Sequence, residues 1–437
     1  MNSKIYSFLL SIVCAIVLTS CIIGGDDLAD VSYFNDFLKY NEAEKAETLS
    51  ETVSLFVDYS TCVAEAKKST YFKSTHPSIV DCSPVFYSIK GDKIKKETED
   101  RQQVYNLLST IHEVNHADIK EAVNMIVNGN NQAVLITDGE YFMKGAVRDN
   151  LNNPYLAEDF RTWLNKGYDI YFYCEPYVES NRHNKYRYYI LFTDDALENN
   201  INDRFARSCS ADDHGVMAFH LSDGQLRVMK GDDGIVLNPA VSAQKVDDSV
   251  YELYSSWEDM AVYLTEGNID DIYILRGLFV DNKIANAYKI EEITPVVYQV
   301  YPEYSKYYDS KMLAEETQPK VKKFEKVKDV FEVDEDVFEE TGEIVLKLKS
   351  DFDGGSLSYD HPNLLRVDFV VSDAKNDFTN NDDLRGAFVW KSISAAQGHA
   401  ENTSLYESIS QVLQNPKLNP KKREVVLYSV YLSTYNL

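Results

Sequence analysis

Two short apolar runs, each meeting an aspartate at its end, constrain this chain more than any other feature. Thr52–Cys62 reads TVSLFVDYSTC, in which Val53, Leu55 and Val57 lie in a run that stops at Asp58. Tyr59, Ser60 and Thr61 follow, which is turn chemistry. Ala133–Tyr141 reads AVLITDGEY, with Asp138 just past the apolar stretch. A short apolar run bounded by turn residues marks a fully buried strand. A buried strand that carries a carboxylate and hydroxyls to its C-terminal end is how an open α/β sheet builds a site. Between the two runs, Val104, Leu107, Leu108 and Ile111 are spaced for a helix over Glu99–His112, and Ile119, Ala122, Val123 and Ile126 for another over Asp118–Val127.

The same alternation extends to about residue 210. Pro84–Ile89 reads as a strand, and Ala157–Asn165 as a helix stopped by Gly167. Asp169–Cys174 and Tyr186–Thr193 are β-rich and Tyr-rich, and Leu197–Ala206 closes the unit as a helix. The expected fold class is therefore α/β over 49–210, a doubly wound, mostly parallel sheet covered on both faces. Residues 211–342 read as a mixed α/β extension and linker. There Gly215–Leu221 and Gln225–Met229 flank Ser222-Asp223-Gly224 as a hairpin, Val250–Thr265 reads as a helix, and Ile272–Val280 and Pro295–Val300 read as strands. From 343 to 437 the alternation of Ile344, Leu346 and Leu348, and of Val367, Phe369 and Val371, predicts a β-rich, sandwich-like C-terminal domain. One helix begins near Ser404.

At 437 residues the chain exceeds one comfortable core, and a net charge of −26 argues against a nucleic-acid partner, which needs clustered Lys and Arg. The N-terminus carries Lys4, an apolar Tyr6–Leu18 too short to span a bilayer, and then Leu18-Thr19-Ser20-Cys21. This resembles a bacterial lipoprotein signal peptide over 1–20, with Cys21 as the lipidated first mature residue and 21–48 as tether and lead-in. The resemblance implies an outer-membrane lipoprotein of the cell envelope, periplasmic or surface-facing, whose membrane partner is reached through a lipid anchor. Of the remaining cysteines, Cys62 with Cys82 and Cys174 with Cys209 are the local pairings among three connectivities.

Asp58-Tyr59-Ser60-Thr61-Cys62 resembles the DxSxS motif of von Willebrand factor A domains, and Ile136-Thr137-Asp138-Gly139-Glu140 resembles the TDG strand end of that family. The resemblance covers about 50–210. It implies a divalent ion at the C-terminal edge of the sheet, held by Asp58, Ser60 and Asp138, with Mg²⁺ as the cofactor. Such an ion takes oxygen ligands in near-octahedral geometry and keeps several waters. Two positions depart from the motif. Cys62 stands where the second serine belongs, and Ala117 where the loop threonine belongs, with Asp118 beside it as the substitute carboxylate. The expectation is a vestigial site with weak or absent Mg²⁺ binding, in a non-enzymatic binding or scaffolding protein.

The alternative is an envelope zinc metallopeptidase. His112-Glu113-Val114-Asn115-His116 satisfies HExxH, which on a helix sets two imidazoles one turn apart with Glu113 as general base. No further His, Gly or Glu pattern supplies a third ligand. The Tyr-rich segments around Tyr168–Tyr177 and Tyr186–Tyr189 read first as half-buried strand packing and second as a face for a protein or glycan ligand. One outcome follows from the N-terminus. Cys21→Ala should leave the protein uncleaved or soluble in membrane fractionation. A cleaved variant still in the membrane fraction would contradict the lipobox.

Overall fold

A computed structural model describes residues 31–41, 49–65, 69–82, 85–111, 117–140, 152–178, 184–208, 215–239, 243–247, 250–253, 273–282, 284–313, 320–321, 323–328, 330–349, 351, 357, 363–391 and 401–434. The signal segment with Cys21, the HExxH stretch 112–116 and Cys209 lie outside the described residues, as does the side chain of Cys62.

The chain enters through α1 (Val31–Asn41) and then alternates. The elements are β1 (Ser50–Asp58), α2 (Thr61–Glu65), α3 (Thr70–Cys82), β2 (Val85–Lys90) and β3 (Lys93–Thr98). Next come α4 (Arg101–Ser109), α5 (Ile119–Val127), β4 (Asn131–Thr137) and α6 (Ala157–Leu164). β5 (Asp169–Val178), β6 (Asn184–Thr193), α7 (Ile201–Ser208) and β7 (Met217–Leu221) complete the unit. Seven of these strands and a two-residue strand at Ala285–Asn286 make an eight-stranded mixed sheet in the order Ala285–Asn286, β7, β5, β6, β4, β1, β2, β3.

Strand β1 shows why the sheet is covered twice. Val53, Leu55 and Val57 point to one face and are wholly buried against Phe72 and Ile79 of α3 and Val104 and Leu108 of α4. Phe56 points to the other face and joins Val123 and Ile126 of α5 and Phe160 and Trp163 of α6. Burying one such side chain contributes about 1.5–3 kcal/mol, so the alternation fixes the register of β1.

The expected mostly parallel sheet is corrected. β1 runs parallel to β2 and β4, and Ala285–Asn286 parallel to β7. β2–β3, β4–β6, β5–β6 and β5–β7 are antiparallel. The cause is connection length. Helices carry the chain between β1, β2 and β4 and permit parallel crossovers, whereas five residues separate β5 from β6, and a link that short joins only antiparallel neighbours.

Beyond β7 come β8 (Val228–Lys230), β9 (Val236–Leu237), β10 (Ala243–Asp247), β11 (Val250–Leu253) and β12 (Leu275–Val280). After the Ala285–Asn286 strand, β13, follow β14 (Tyr288–Gln299), α8 (Tyr301–Met312), β15 (Glu325–Val327), β16 (Phe331–Val333), α9 (Glu335–Thr341) and β17 (Glu343–Leu348). The chain ends through β18 (Asn363–Asn376), α10 (Asp382–Phe388), β19 (Trp390–Lys391), β20 (Glu401–Asn402), α11 (Ser404–Leu413) and β21 (Val426–Thr434). A six-stranded sheet has the order β10, β11, β21, β18, β14, β15, and a five-stranded sheet carries β16, β17, β12 and β8 with β9 beside β12.

Three expectations change here. β7 and β8 enter different sheets, so Ser222-Asp223-Gly224 is a turn between layers and no hairpin forms. Gly224 is left-handed at φ +90, and a Cβ there would meet Pro420 at 2.8 Å. Val250–Leu253 is a strand, β11, where a helix is expected; 254–265 lies outside the described residues. The segment from 343 forms no self-contained sandwich, because β18 pairs with β14 and β17 with β12; only the two-residue strands β19 and β20 pair as a separate ribbon among the described residues. Cys82 and Cys174 are buried free thiols, so neither local disulfide is made. Among the described residues, no helix is long and apolar enough to cross a membrane.

Candidate functional site

β1 and β4 are parallel neighbours, paired from Val53–Gln132 to Val57–Ile136. Their C-terminal ends therefore lie side by side, with Asp58 closing β1 and Asp138 one residue past β4. From β1 the chain crosses to β2 on one side and later returns to β4 on the other. The Asp58–Asp138 crevice is thus the switch point of the parallel part of the sheet, where open α/β sheets place their ligands.

The carboxylate of Asp58 is held rigidly. Its Oδ1 accepts from the Ser60 backbone N–H at 2.6 Å and its Oδ2 from the Thr137 hydroxyl at 2.8 Å. Asp138 Oδ1 accepts from the Glu140 N–H at 3.0 Å. Ser60 is 8% exposed, and its Oγ, close to the Asp58 carboxylate, makes no well-aligned hydrogen bond. Gly139 lets the chain leave β4 sharply. Its φ is +69, and a Cβ would press to 3.1 Å from Leu405 and 3.2 Å from Tyr188. The Tyr155 hydroxyl donates to the Gly139 carbonyl at 3.0 Å.

Charge is the main fact about this crevice. Burial raises Asp58 above the ordinary carboxylate range, against hydrogen bonds from Thr137 and Ser60 that lower it. Burial also raises Asp138 well above that range, reinforced by the charges of Glu140 and Asp58 and opposed by Lys185. Lys185 Nζ meets Glu140 Oε1 at 2.6 Å. Tyr155 is likewise pushed up, first by burial and then by Asp138, Asp58, Glu140 and Asp118. Asp118 belongs to this acidic rim, its N–H donating to the Gly91 carbonyl at 2.7 Å, but its side chain does not cap α5.

Of the expected ligand set, Asp58, Ser60 and Asp138 come together, and Asp118 stands on the rim. Ala117 is buried and offers no donor atom. The residues present suit a hard divalent cation: buried oxygen donors, two carboxylates that repel each other, and a buried hydroxyl beside one of them.

A second cluster escapes sequence reasoning. Asp169, Asp195 and His220 bring ligand atoms within 4.8 Å of one another at the opposite edge of the sheet. Burial and the Asp169 charge push Asp195 up to about 7. Burial by itself would lower His220, but its hydrogen bonds to Asp169 and Asn286 and the charges of Asp169 and Asp195 outweigh it and hold the ring above its ordinary value. The residues are 26 and 25 positions apart and follow no motif spacing; only the antiparallel β6–β5–β7 pairing gathers them. Compared with known proteins, the chain matches no family model, no curated protein and no solved structure.

The raised Asp138 has a measurable consequence. A carboxyl whose folded-state pKa exceeds its unfolded value binds more protons folded than unfolded, so its contribution to stability is present below the ordinary 3.8 and is lost as pH rises through the raised value. Asp138→Asn removes that loss and keeps the acceptor for Glu140. The variant should match the wild type near pH 4 and exceed it increasingly towards pH 8, by about 1.4 kcal/mol per unit of pKa elevation. Thermal melts across that range check this, and a pH-independent difference would contradict it.

Proposed function

We propose that this is a lipid-anchored protein of the bacterial cell envelope with a non-enzymatic binding or scaffolding role. Its α/β unit is read as related to von Willebrand factor A domains, with a decayed divalent-ion site. The observation that carries the reading is the meeting of Asp58, Ser60 and Asp138 at the β1/β4 switch point, with the buried Ser60 hydroxyl beside the Asp58 carboxylate. Helices on both faces of parallel strands β4, β1 and β2 also support it.

In this reading Asp58, Ser60 and Asp138 hold Mg²⁺ and water fills the remaining positions. Each missing protein ligand leaves the ion more hydrated and less restrained, so affinity is weak. A bound ion would supply a positive centre for an acidic group of a protein or glycan ligand. The acidic rim of Glu140 and Asp118 attracts the cation, while Lys185 opposes it. The ion displaces protons from the raised carboxyls, so binding tightens as pH rises.

Thermal melting against Mg²⁺ tests this. Binding only the folded state stabilises it by RT ln(1 + [L]/Kd), about 1.4 kcal/mol at ten times Kd. The wild type should show a small rise at tens of millimolar Mg²⁺ and Ala117→Thr a larger one, with Asp58→Asn abolishing both. If neither protein responds while the fold is intact, these residues are not arranged around an ion.

A further inference from the structure

We propose that Asp169, Asp195 and His220 form a second, independent metal site, suited to a Zn²⁺-class divalent ion with one imidazole nitrogen and two carboxylate oxygens. The three residues sit on rigid supports. Asp169 opens β5, His220 lies in β7 opposite Tyr171, and Asp195 follows β6, whose end pairs with Asp169 through Thr193. The pairing of Thr137 with Tyr188 and of Ala133 with Phe192 sets this edge at the far end of the sheet from Asp58 and Asp138.

The hydrogen bonds fix the state of the imidazole. Asn286 Nδ2 donates to the Ile284 carbonyl at 2.9 Å and more distantly to the Asp281 carbonyl, so its Oδ1 is the atom facing His220 Nδ1 at 3.0 Å. Nδ1 must therefore carry the hydrogen. In a neutral ring that leaves the Nε2 lone pair directed at Asp169 Oδ1, 2.8 Å away. Two acceptors at that distance need a positive charge between or beside them. Two donor atoms each about 2.0–2.1 Å from a tetrahedral ion lie about 3.3–3.4 Å apart, so an entering ion would open this contact by about half an ångström.

A proton could satisfy that contact, but it does not account for Asp195. Its Oδ1 is buried and has no hydrogen-bond partner. A divalent ion satisfies both the Nε2–Asp169 contact and Asp195 at once.

Each ligand also has the outer partner that orients metal ligands. Asn286 holds His220, the Asp195 N–H donates to Asp169 Oδ2 at 3.1 Å, and the Tyr171 hydroxyl donates to Asp195 Oδ2. Tyr171 further stacks on the His220 ring at 4.1 Å. A cavity of about 410 Å³ opens beside the two carboxylates, lined also by Lys166 and Arg227, and leaves room for water or an anionic ligand in the open positions.

The test uses full-length protein stripped with chelator and titrated with Co²⁺, then Zn²⁺. The expected result is one Co²⁺ per chain with a visible d–d band, displaced by Zn²⁺, absent in His220→Gln and Asp195→Asn, and unchanged in Asp58→Asn. Asn286→Ala, which keeps all three ligands, should weaken affinity about 10–100-fold and so covers the case in which a ligand variant misfolds. No uptake by the folded wild type, with ¹⁵N NMR showing the His220 ring doubly protonated at pH 7, would overturn the site in favour of a proton. Uptake that survives His220→Gln but is lost in His112→Gln would overturn it equally.

Discussion

Two carboxylates held out of water at the ends of adjacent parallel strands set the terms for the α/β unit. Asp58 and Asp138 are 2% and 6% exposed, and each is fixed by hydrogen bonds from its own turn or its neighbour's strand. Burying such groups costs free energy unless they are neutralised, hydrogen-bonded or paired with a cation. The surrounding structure supplies the first two remedies in part: both carboxyls are raised, and Thr137, Ser60 and Glu140 donate to them. Strand β1 can bear that cost because Val53, Leu55 and Val57 are wholly buried on one face and Phe56 nearly so on the other.

The two edges of the same sheet thus carry different chemistry. At the switch point the donors are oxygens alone, which suits a hard, hydrated cation. At the opposite edge an imidazole joins two carboxylates, which suits a borderline one. The change follows from topology: parallel crossovers expose strand ends at one edge, while the antiparallel β6–β5–β7 ladder gathers Asp169, Asp195 and His220 at the other. Elsewhere in that ladder Arg187 and Glu175 form a buried ion pair at 2.6 Å, with the Tyr189 hydroxyl donating to the same carboxylate. The acidic groups of this chain are therefore not all solvent-facing.

Much of the first half was legible in the sequence because its elements declare themselves locally. β1, α4, α5, β4 and α6 all fall within a few residues of where apolar spacing puts them, and the two aspartates fall at one edge. What was missed depends on contacts distant in sequence. Strand direction in β5 and β6 turns on a five-residue link, too short for anything but antiparallel neighbours. The turn at Ser222-Asp223-Gly224 gives the right break but not the destination of the strands, which is decided by Leu221 joining one core and Val228 the edge of another sheet. α3, with Pro77 inside it, carries too weak an apolar pattern to be read as a helix, yet Tyr71, Phe72 and Ile79 bury it against β1. The His220 cluster has no local signature at all.

The proposed weak cation site lies where β1 and β4 end side by side. Anomalous diffraction from crystals soaked in tens of millimolar Mn²⁺, a spectroscopically visible stand-in for Mg²⁺, tests it most directly. The account predicts a peak within about 2.0–2.3 Å of oxygens from both Asp58 and Asp138, with Ser60 Oγ beside it. Density that is empty there, in crystals that preserve β1 and β4 as neighbours, would contradict it.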